Sequence, residues 1–438
     1  MCLFAVLSGF VICGAPARAE FCPRGVDPSE ELDGIHVFSG EADQWCVKNK
    51  SNGKHLDKNE AGNRAVSYEI RNGRPDGRWT YWHNNGKIKR VINWKDGRLD
   101  GLARNYAPDG RMVSAGTYQD GKKHGFHTVW QQGAIKALDG EYLNDKKTRH
   151  WKWYYPSGKI QTDSMYENGR LHGWTRNVYE NGKPRTTGQY SNNAKTGRWT
   201  SFYSDGREES AVYYLQGKQH GKWLRWYGSG ARKEEGSYTL GKKTGKWFIY
   251  FQDGSKWIEA EYADGRLDGS WLEFDSYGNK LVSGFYTEDV PDGKWTMWYF
   301  NGKKKREWGY RGGKVFGRDL WWFGDGSIHV DSEYDEGLPN GKETWWYQNG
   351  RKRIEAVYYK GVLDGRWLSW FENGNKQDEG HYRAGFPEGS WISWYDNGQK
   401  HAEGAFKAGL KHGEWKEWSA DGKESGKLKS NQEKKPPK

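Results

Sequence analysis

Four histidines, a run of acids, one cysteine pair and two columns of aromatic rings have spacings in this chain that could carry chemistry. His124, His172, His220 and His412 occupy one place in a recurring unit, which suggests a column of metal ligands. Distance rules that out. His124, His172 and His220 are two units apart, roughly 19 Å if each unit supplies two antiparallel strands, against about 2.1 Å for a metal–nitrogen bond. A second column holds Glu235, Glu259, Glu307, Asp331, Glu355, Glu379 and Glu403. Set across from Lys and Arg of adjacent strands, these acids read as surface ion pairs rather than as acid–base catalysts. There is no G-x-S-x-G elbow, no P-loop, no H-E-x-x-H and no cysteine nucleophile with a histidine partner, so no catalytic residue, metal or cofactor is expected. The rings remain. Trp199, Trp223, Trp247, Trp271 and Trp295 share one place in five successive units, with Tyr203, Tyr227 and Tyr299 four residues further on. Such a stripe exceeds the apolar surface usual on a monomer, so it is either covered or used for binding.

What positions these residues is a strict repeat. A glycine recurs every 24 residues from Gly53 to Gly413, at fifteen of sixteen places, with Arg149 the exception. A fixed period of this size marks a repeat architecture whose units bury their apolar faces on their neighbours. Counting the phasing glycine as offset zero, offset two is Trp in ten of the fifteen units from Gly77 onward, and offset five is aromatic in fourteen, Val178 excepted. Offset nine is almost always Gly, preceded by Asn or Asp as in Asn85-Gly86 and Asp205-Gly206. That dipeptide predicts a type I′ hairpin turn, which requires φ > 0 at both central residues. A second turn falls at offset twenty, where Gly gives way only to Asp145, Asn193 and Asp289, the side chains that best tolerate left-handed φ.

Two turns per unit give two strands, so the expected fold is all-β, an elongated single-sheet antiparallel array of hairpins on the order of 150 Å long before twist. Offset seventeen is aromatic throughout, from Trp94 to Tyr382 and Phe406, and two residues earlier lie small residues such as Gly116, Gly188, Gly236, Ala356 and Gly404. A large ring should fill the space that each missing side chain leaves. Offsets two and five fall on opposite faces. The offset-five and offset-seventeen columns are assigned to the core side.

Composition agrees with a binding surface rather than a catalytic domain. Aliphatic residues are scarce while Trp and Tyr number 27 each, so the core must be aromatic. Lys+Arg (69) exceed Asp+Glu (57) with both signs interspersed, and without a basic stripe or known motif no nucleic-acid partner is expected. Residues 1–19 read as a secretory signal, apolar from Leu3 to Cys13 and ending in Ala17-Arg18-Ala19. Residues 20–52 form an N-terminal cap, 53–426 the array of about sixteen units, and 427–438 a disordered basic tail. Cleavage leaves Cys22 and Cys46, which in an exported chain are expected to form one disulfide, worth roughly 3 kcal/mol in the chain-entropy picture.

With both halves of the unit in view, the pattern resembles the MORN repeat (membrane occupation and recognition nexus), and more closely its bacterial variant. Tyr214-Leu-Gln-Gly217-Lys-Gln-His220-Gly221-Lys-Trp223 is similar to the family's aromatic-x-x-G-K-x-x-G segment. Glu235-Gly236-Ser237-Tyr238, Glu379-Gly380-His381-Tyr382 and Glu403-Gly404-Ala405-Phe406 match its E-G-x-aromatic element. The departure is G-x-W in place of G-x-G, which fits the bacterial variant, whose members are often labelled antitoxins. The resemblance implies a meandering antiparallel sheet that scaffolds proteins or touches membrane surfaces, without activity of its own. The repeats are also similar to choline-binding wall repeats, but those are shorter and carry a Met-x-T-G segment absent here. The expectation is a non-enzymatic exported bacterial protein, periplasmic or at the cell surface, that binds a protein partner. A glycan or peptidoglycan module using stacked rings, an antitoxin or immunity protein, and an anionic membrane surface as partner stand as alternatives.

Overall fold

The structure is a computed structural model and describes residues 50–131 and 134–430. The signal, most of the cap with Cys22 and Cys46, and the end of the tail lie outside the described residues. The chain divides into two units, one ending at Ala194 and the other beginning at Lys195. Among the described residues there are thirty-six strands and no α-helix. Within each unit the pairing is antiparallel and strands adjacent in sequence are adjacent in the sheet, as in Gly101–Tyr106 with Met112–Gln119 and Lys218–Trp226 with Arg232–Thr239.

The phasing glycine sits in the middle of a strand, not in a turn. In the hairpin of Glu208–Leu215 with Lys218–Trp226, Val212 faces Trp223 and Tyr214 faces Gln219, so the second strand carries extra residues around Gly221. This β-bulge turns the strand through positive φ, +88° at Gly221 and +64° at Gly245. A Cβ at Gly245 would touch nothing within 4 Å, so backbone conformation alone sets the glycine there, while at Gly269 and Gly365 a Cβ would also crowd Glu261 and Val357. Arg149, the exception in sequence, takes the same region at φ +56°.

The two turns exchange the roles expected of them. At offsets nineteen and twenty both residues have positive φ, for example Asn192 (+51°) with Asn193 (+69°) and Glu288 (+49°) with Asp289 (+69°). This is the type I′ turn. The Asn-Gly and Asp-Gly pair forms a different loop, a correction to the sequence reading. In it the Gly206 amide donates to the Tyr203 carbonyl, and only the glycine has positive φ (+92°). That is a type I turn closed by a left-handed glycine. Asn or Asp is favoured because its side chain accepts from the amide two residues on, as Asp205 does from Arg207 at 2.9 Å. The asparagines also reach the next repeat. Asn301, Asn349 and Asn397 donate to the carbonyls of Gly324, Glu372 and Ala420.

Candidate functional site

Cross-strand register decides which rings share a face. Gly197 pairs with Tyr214 and Trp199 with Val212, so offsets zero, two, fifteen and seventeen point the same way. Trp199 packs on Tyr214 at 6.2 Å between centroids, and Trp223, Tyr238, Trp247 and Tyr262 continue edge to face at 5.1–6.1 Å. The core side is therefore offsets two and seventeen. Offset five lies on the opposite face, which corrects the sequence assignment, because the pairing carries the offset-seventeen ring to the side of the phasing glycine.

Each rung of this ladder is built from a small residue and a ring. A Cβ placed on Gly140, Gly236, Gly284, Gly380 or Gly404 would fall inside the indole of Trp151, Trp247, Trp295, Trp391 or Trp415. The indole lies flat over the glycine, as expected from sequence. A lysine covers the outer side of several rings, with the ammonium of Lys195 4.3 Å from the centre of Trp199 and that of Lys243 3.9 Å from Trp247. Within the stripe named from sequence, Trp199, Trp247 and Trp295 are buried, and Trp223 and Trp271 are half-buried. Tyr203, Tyr227 and Tyr299 leave the strand and act as staples. Their hydroxyls donate to the carbonyls of Trp226, Tyr250 and Trp322 in the next repeat, all at 2.8 Å.

The opposite face is amphipathic and its rings are only half covered. Here the offset-fourteen acid is gripped by a lysine or arginine three residues before it and by another on the adjacent strand, as Glu307 is by Lys304 (2.6 Å) and Lys294 (2.8 Å). The near lysine also stands over the offset-five ring of the next repeat: Lys304 over Trp322, Lys352 over Trp370, Lys376 over Trp394 and Lys400 over Trp418. Burial opposes ionisation of Glu259, Glu307 and Glu355, but hydrogen bonds from the paired lysines outweigh it and hold all three carboxyls below their usual range. At Tyr250 and Tyr154 the acid, Glu235 or Asp139, accepts from the offset-five hydroxyl as well as from its near cation, Arg232 or Lys136. Burial and the bond to Glu235 (2.6 Å) push Tyr250 up to about 12, and burial with Asp139 does the same to Tyr154.

Two rungs depart from the pattern, and the first inverts it. Across from Trp308 stands Asp319 in place of the usual tryptophan, so the ring has moved to the neighbouring strand. Asp319 is buried and accepts two hydrogen bonds from Arg306, at 2.9 and 2.8 Å. The guanidinium lies between Trp308 and Trp321, 4.4 and 4.6 Å from their ring centres. In the following rung Glu343 accepts from the Ser332 hydroxyl and the Trp345 indole. The sequence showed only that offset two was not Trp here. Nothing in the period announced the Arg306 partner, which falls at a variable offset.

The depressions in the described surface that could admit a small molecule are open to solvent. One of about 390 Å³ is lined by Phe371, Trp394, Tyr395, Ser393, His401 and Asp378. The Ser393 hydroxyl lies 3.5 Å from His401 Nδ1, but Asp378 is held by the Ser369 hydroxyl at 3.0 Å and His401 stacks on Tyr395. The three are not linked as nucleophile, base and orienting acid.

Five segments of the chain, residues 75–96, 150–168, 291–311, 363–384 and 387–408, match the sequence profile of the MORN repeat variant. The chain carries MORN-variant repeats at these five places. Four matched segments run from just before a phasing glycine to the second turn, and 150–168 starts just after Arg149. No curated protein sequence matches the chain. Solved structures similar to it include a TcdB2–TccC3–Cdc42 complex (11% identity, 90% of this chain, 26% of that one, TM-score 0.13). They also include TcdB2–TccC3 without its hypervariable C-terminal region (11%, 86%, 27%, 0.14) and a Photorhabdus luminescens Tc holotoxin pore (11%, 90%, 29%, 0.11). The chain spans about a quarter of the length of these structures.

Proposed function

We propose that this MORN-variant array is a non-enzymatic scaffold, exported to the cell envelope, that binds a protein partner along the face bearing the offset-five rings. The observation that supports this reading is the contrast between the two faces. The offset-two rings, buried or half-buried, pack edge to face on the offset-seventeen rings of the ladder. By contrast, Trp322, Trp370, Trp394 and Trp418 are half-buried beside lysines that are paired with acids. Large amphipathic rings framed by charges are the composition of interface anchors. The same rings could stack on sugars, which keeps a glycan as the second reading.

The test compares the native chain with Trp370→Ala/Trp394→Ala. Tagged protein is cross-linked in a native envelope fraction and, separately, sedimented with purified peptidoglycan. One protein species retained by the native chain and lost from the variant, at unchanged melting temperature, is the expected result. Equal retention by both chains would overturn the face assignment. Sedimentation with peptidoglycan that the substitutions abolish would replace the protein partner with a glycan.

A further inference from the structure

One column of the repeat changes character along the chain. Offset twenty-one, the first residue after the type I′ turn, reads Arg74, Arg98, Lys122, Lys146, Arg170 and Ala194 in the first unit, and Lys218, Lys242 and Arg266 early in the second, basic at all but Ala194. It then becomes Val290, Lys314, Leu338, Val362, Phe386 and Leu410. The last four are well exposed, at 49%, 44%, 59% and 69%. They form a continuous ridge, because Leu338, Val362 and Phe386 each lean over the turn glycine of the following repeat, Gly361, Gly385 and Gly409. Consecutive exposed apolar side chains in a chain this hydrophilic mark an interaction surface.

The residues directly across each turn identify the occupant. Asp335 pairs with Leu338, Tyr359 with Val362, Arg383 with Phe386 and Lys407 with Leu410, each pair sharing one face. Since neighbouring strands are spaced about 4.8 Å, these residues alternate in a single row: Asp335, Leu338, Tyr359, Val362, Arg383, Phe386, Lys407, Leu410. Asp335, Arg383 and Lys407 have no ion-pair partner among the described residues. The row is self-complementary when reversed about Val362. A second copy laid antiparallel with its two-fold axis there sets Asp335 against Lys407, Leu338 against Phe386, Tyr359 against Arg383 and Val362 against itself. Leu410 then meets the stem of Lys314, whose ammonium is held by Glu336 at 2.6 Å. Moving the axis to Phe386 would place Arg383 on Lys407, a like-charge clash, so the register is specified.

We propose that the turn edge around residues 335–410 is an isologous homodimer interface, occupied by the same edge of a second copy running antiparallel. The inference does not depend on the aromatic-face reading above. Eight residues a side is small against the roughly 20–30 of a standard interface, so the dimer should be concentration-dependent and in fast exchange.

Sedimentation velocity of the full chain across about two decades of concentration tests this. The native chain should shift from monomer to dimer. Val362→Lys should abolish the shift by placing two ammonium groups on the axis, and the fold tolerates it because Lys122, Lys146, Lys218 and Lys242 occupy this position natively. Asp335→Lys alone should weaken dimerisation at least tenfold, and adding Lys407→Asp should restore it. A native chain that stays monomeric throughout overturns the proposal, as does a dimer indifferent to Val362→Lys, or a charge swap that fails to rescue. Monomer that binds phosphatidylglycerol vesicles, and loses that binding on Val362→Lys, would reassign the ridge to a lipid surface.

Discussion

The rung at Gly236 and Trp247 and the rung at Trp308 and Asp319 occupy equivalent places in the ladder and are filled in opposite ways. In the first the ring comes from offset two and rests on a glycine. In the second the ring comes from offset fifteen, and the small partner is a carboxylate tied to Arg306. A third solution is Ile92 against Ala103, both buried. What these three rungs share is therefore a complementary pair, a large side chain against a smaller one, and not a fixed residue at an offset. The Ser164/Thr175 rung, two small buried hydroxyl residues facing each other, is an exception even to that. Close packing explains the complementary pairs, since a rung has no neighbouring layer into which an excess or deficit of volume can relax.

This can be broken most directly at the regular rung. Trp247→Ala should cost about 3–5 kcal/mol, the usual range for emptying a buried indole site. Gly236→Ile alone should be at least as damaging, because its Cβ would lie within the Trp247 ring. Gly236→Ile together with Trp247→Ala rebuilds the Ile92/Ala103 rung and should recover more than half of the loss. Denaturant melts of the three variants decide it. Additive damage in the double variant would mean that this rung is not set by a complementary pair.

The inverted rung sharpens the comparison with a smaller effect. Asp319→Asn keeps the shape but leaves the Arg306 guanidinium between two indoles without its counterion. Arg306 is about one-fifth exposed. Its access to water should reduce the loss to roughly 2–3 kcal/mol, below the 3–5 typical of fully buried pairs. Arg306→Met in the same chain should return most of it. A double variant no better than the single would show that the pair itself, and not the unpaired charge, supports the rung.

Much of this was legible in the sequence because turns and bulges leave signatures that survive substitution. The 24-residue glycine and the Asn, Asp or Gly at offset twenty fixed strands, turns and fold class before any coordinates. Face assignment was not legible. It depends on whether offset seventeen pairs with offset zero, and a one-place difference in register reverses every side chain. The type I′ turn was placed on Asn-Gly because that dipeptide is the stronger local signal, yet the backbone assigns it to pairs such as Leu240-Gly241 and Lys360-Gly361, whose first residue carries no turn preference. The lysines over the offset-five rings do recur at offset eleven, as Lys304, Lys352, Lys376 and Lys400, but only register shows which ring each one covers. The Arg306 pair rests on a position that varies from unit to unit.

The smallest effect at neutral pH, and the most specific, lies at the rung of Gly116 and His127, where an imidazole replaces the indole. His127 is 1% exposed and stacks edge to face on Tyr118 and Tyr142. Its Nδ1 lies 3.3 Å from the Gly125 carbonyl. Burial lowers its pKa from 6.5 to about 4, with Lys123 adding to the effect and Gly125 and Asp145 opposing it. A folded-state pKa below the unfolded one means that stability is fully present above pH 6.5 and is lost as pH falls through 4. The loss approaches roughly 3 kcal/mol for a shift of this size. The depressed carboxyls of Glu259, Glu307 and Glu355 lose their contribution only below about pH 4.5, the ordinary glutamate range, so the two effects separate in pH. His127→Trp recreates the Gly140/Trp151 rung. It should leave the protection of amides 116–142 against hydrogen exchange nearly unchanged at pH 7.5 and remove their loss of protection between pH 6 and pH 4.5. Retention of that loss in the variant would place the acid sensitivity elsewhere in the unit, away from the histidine rung.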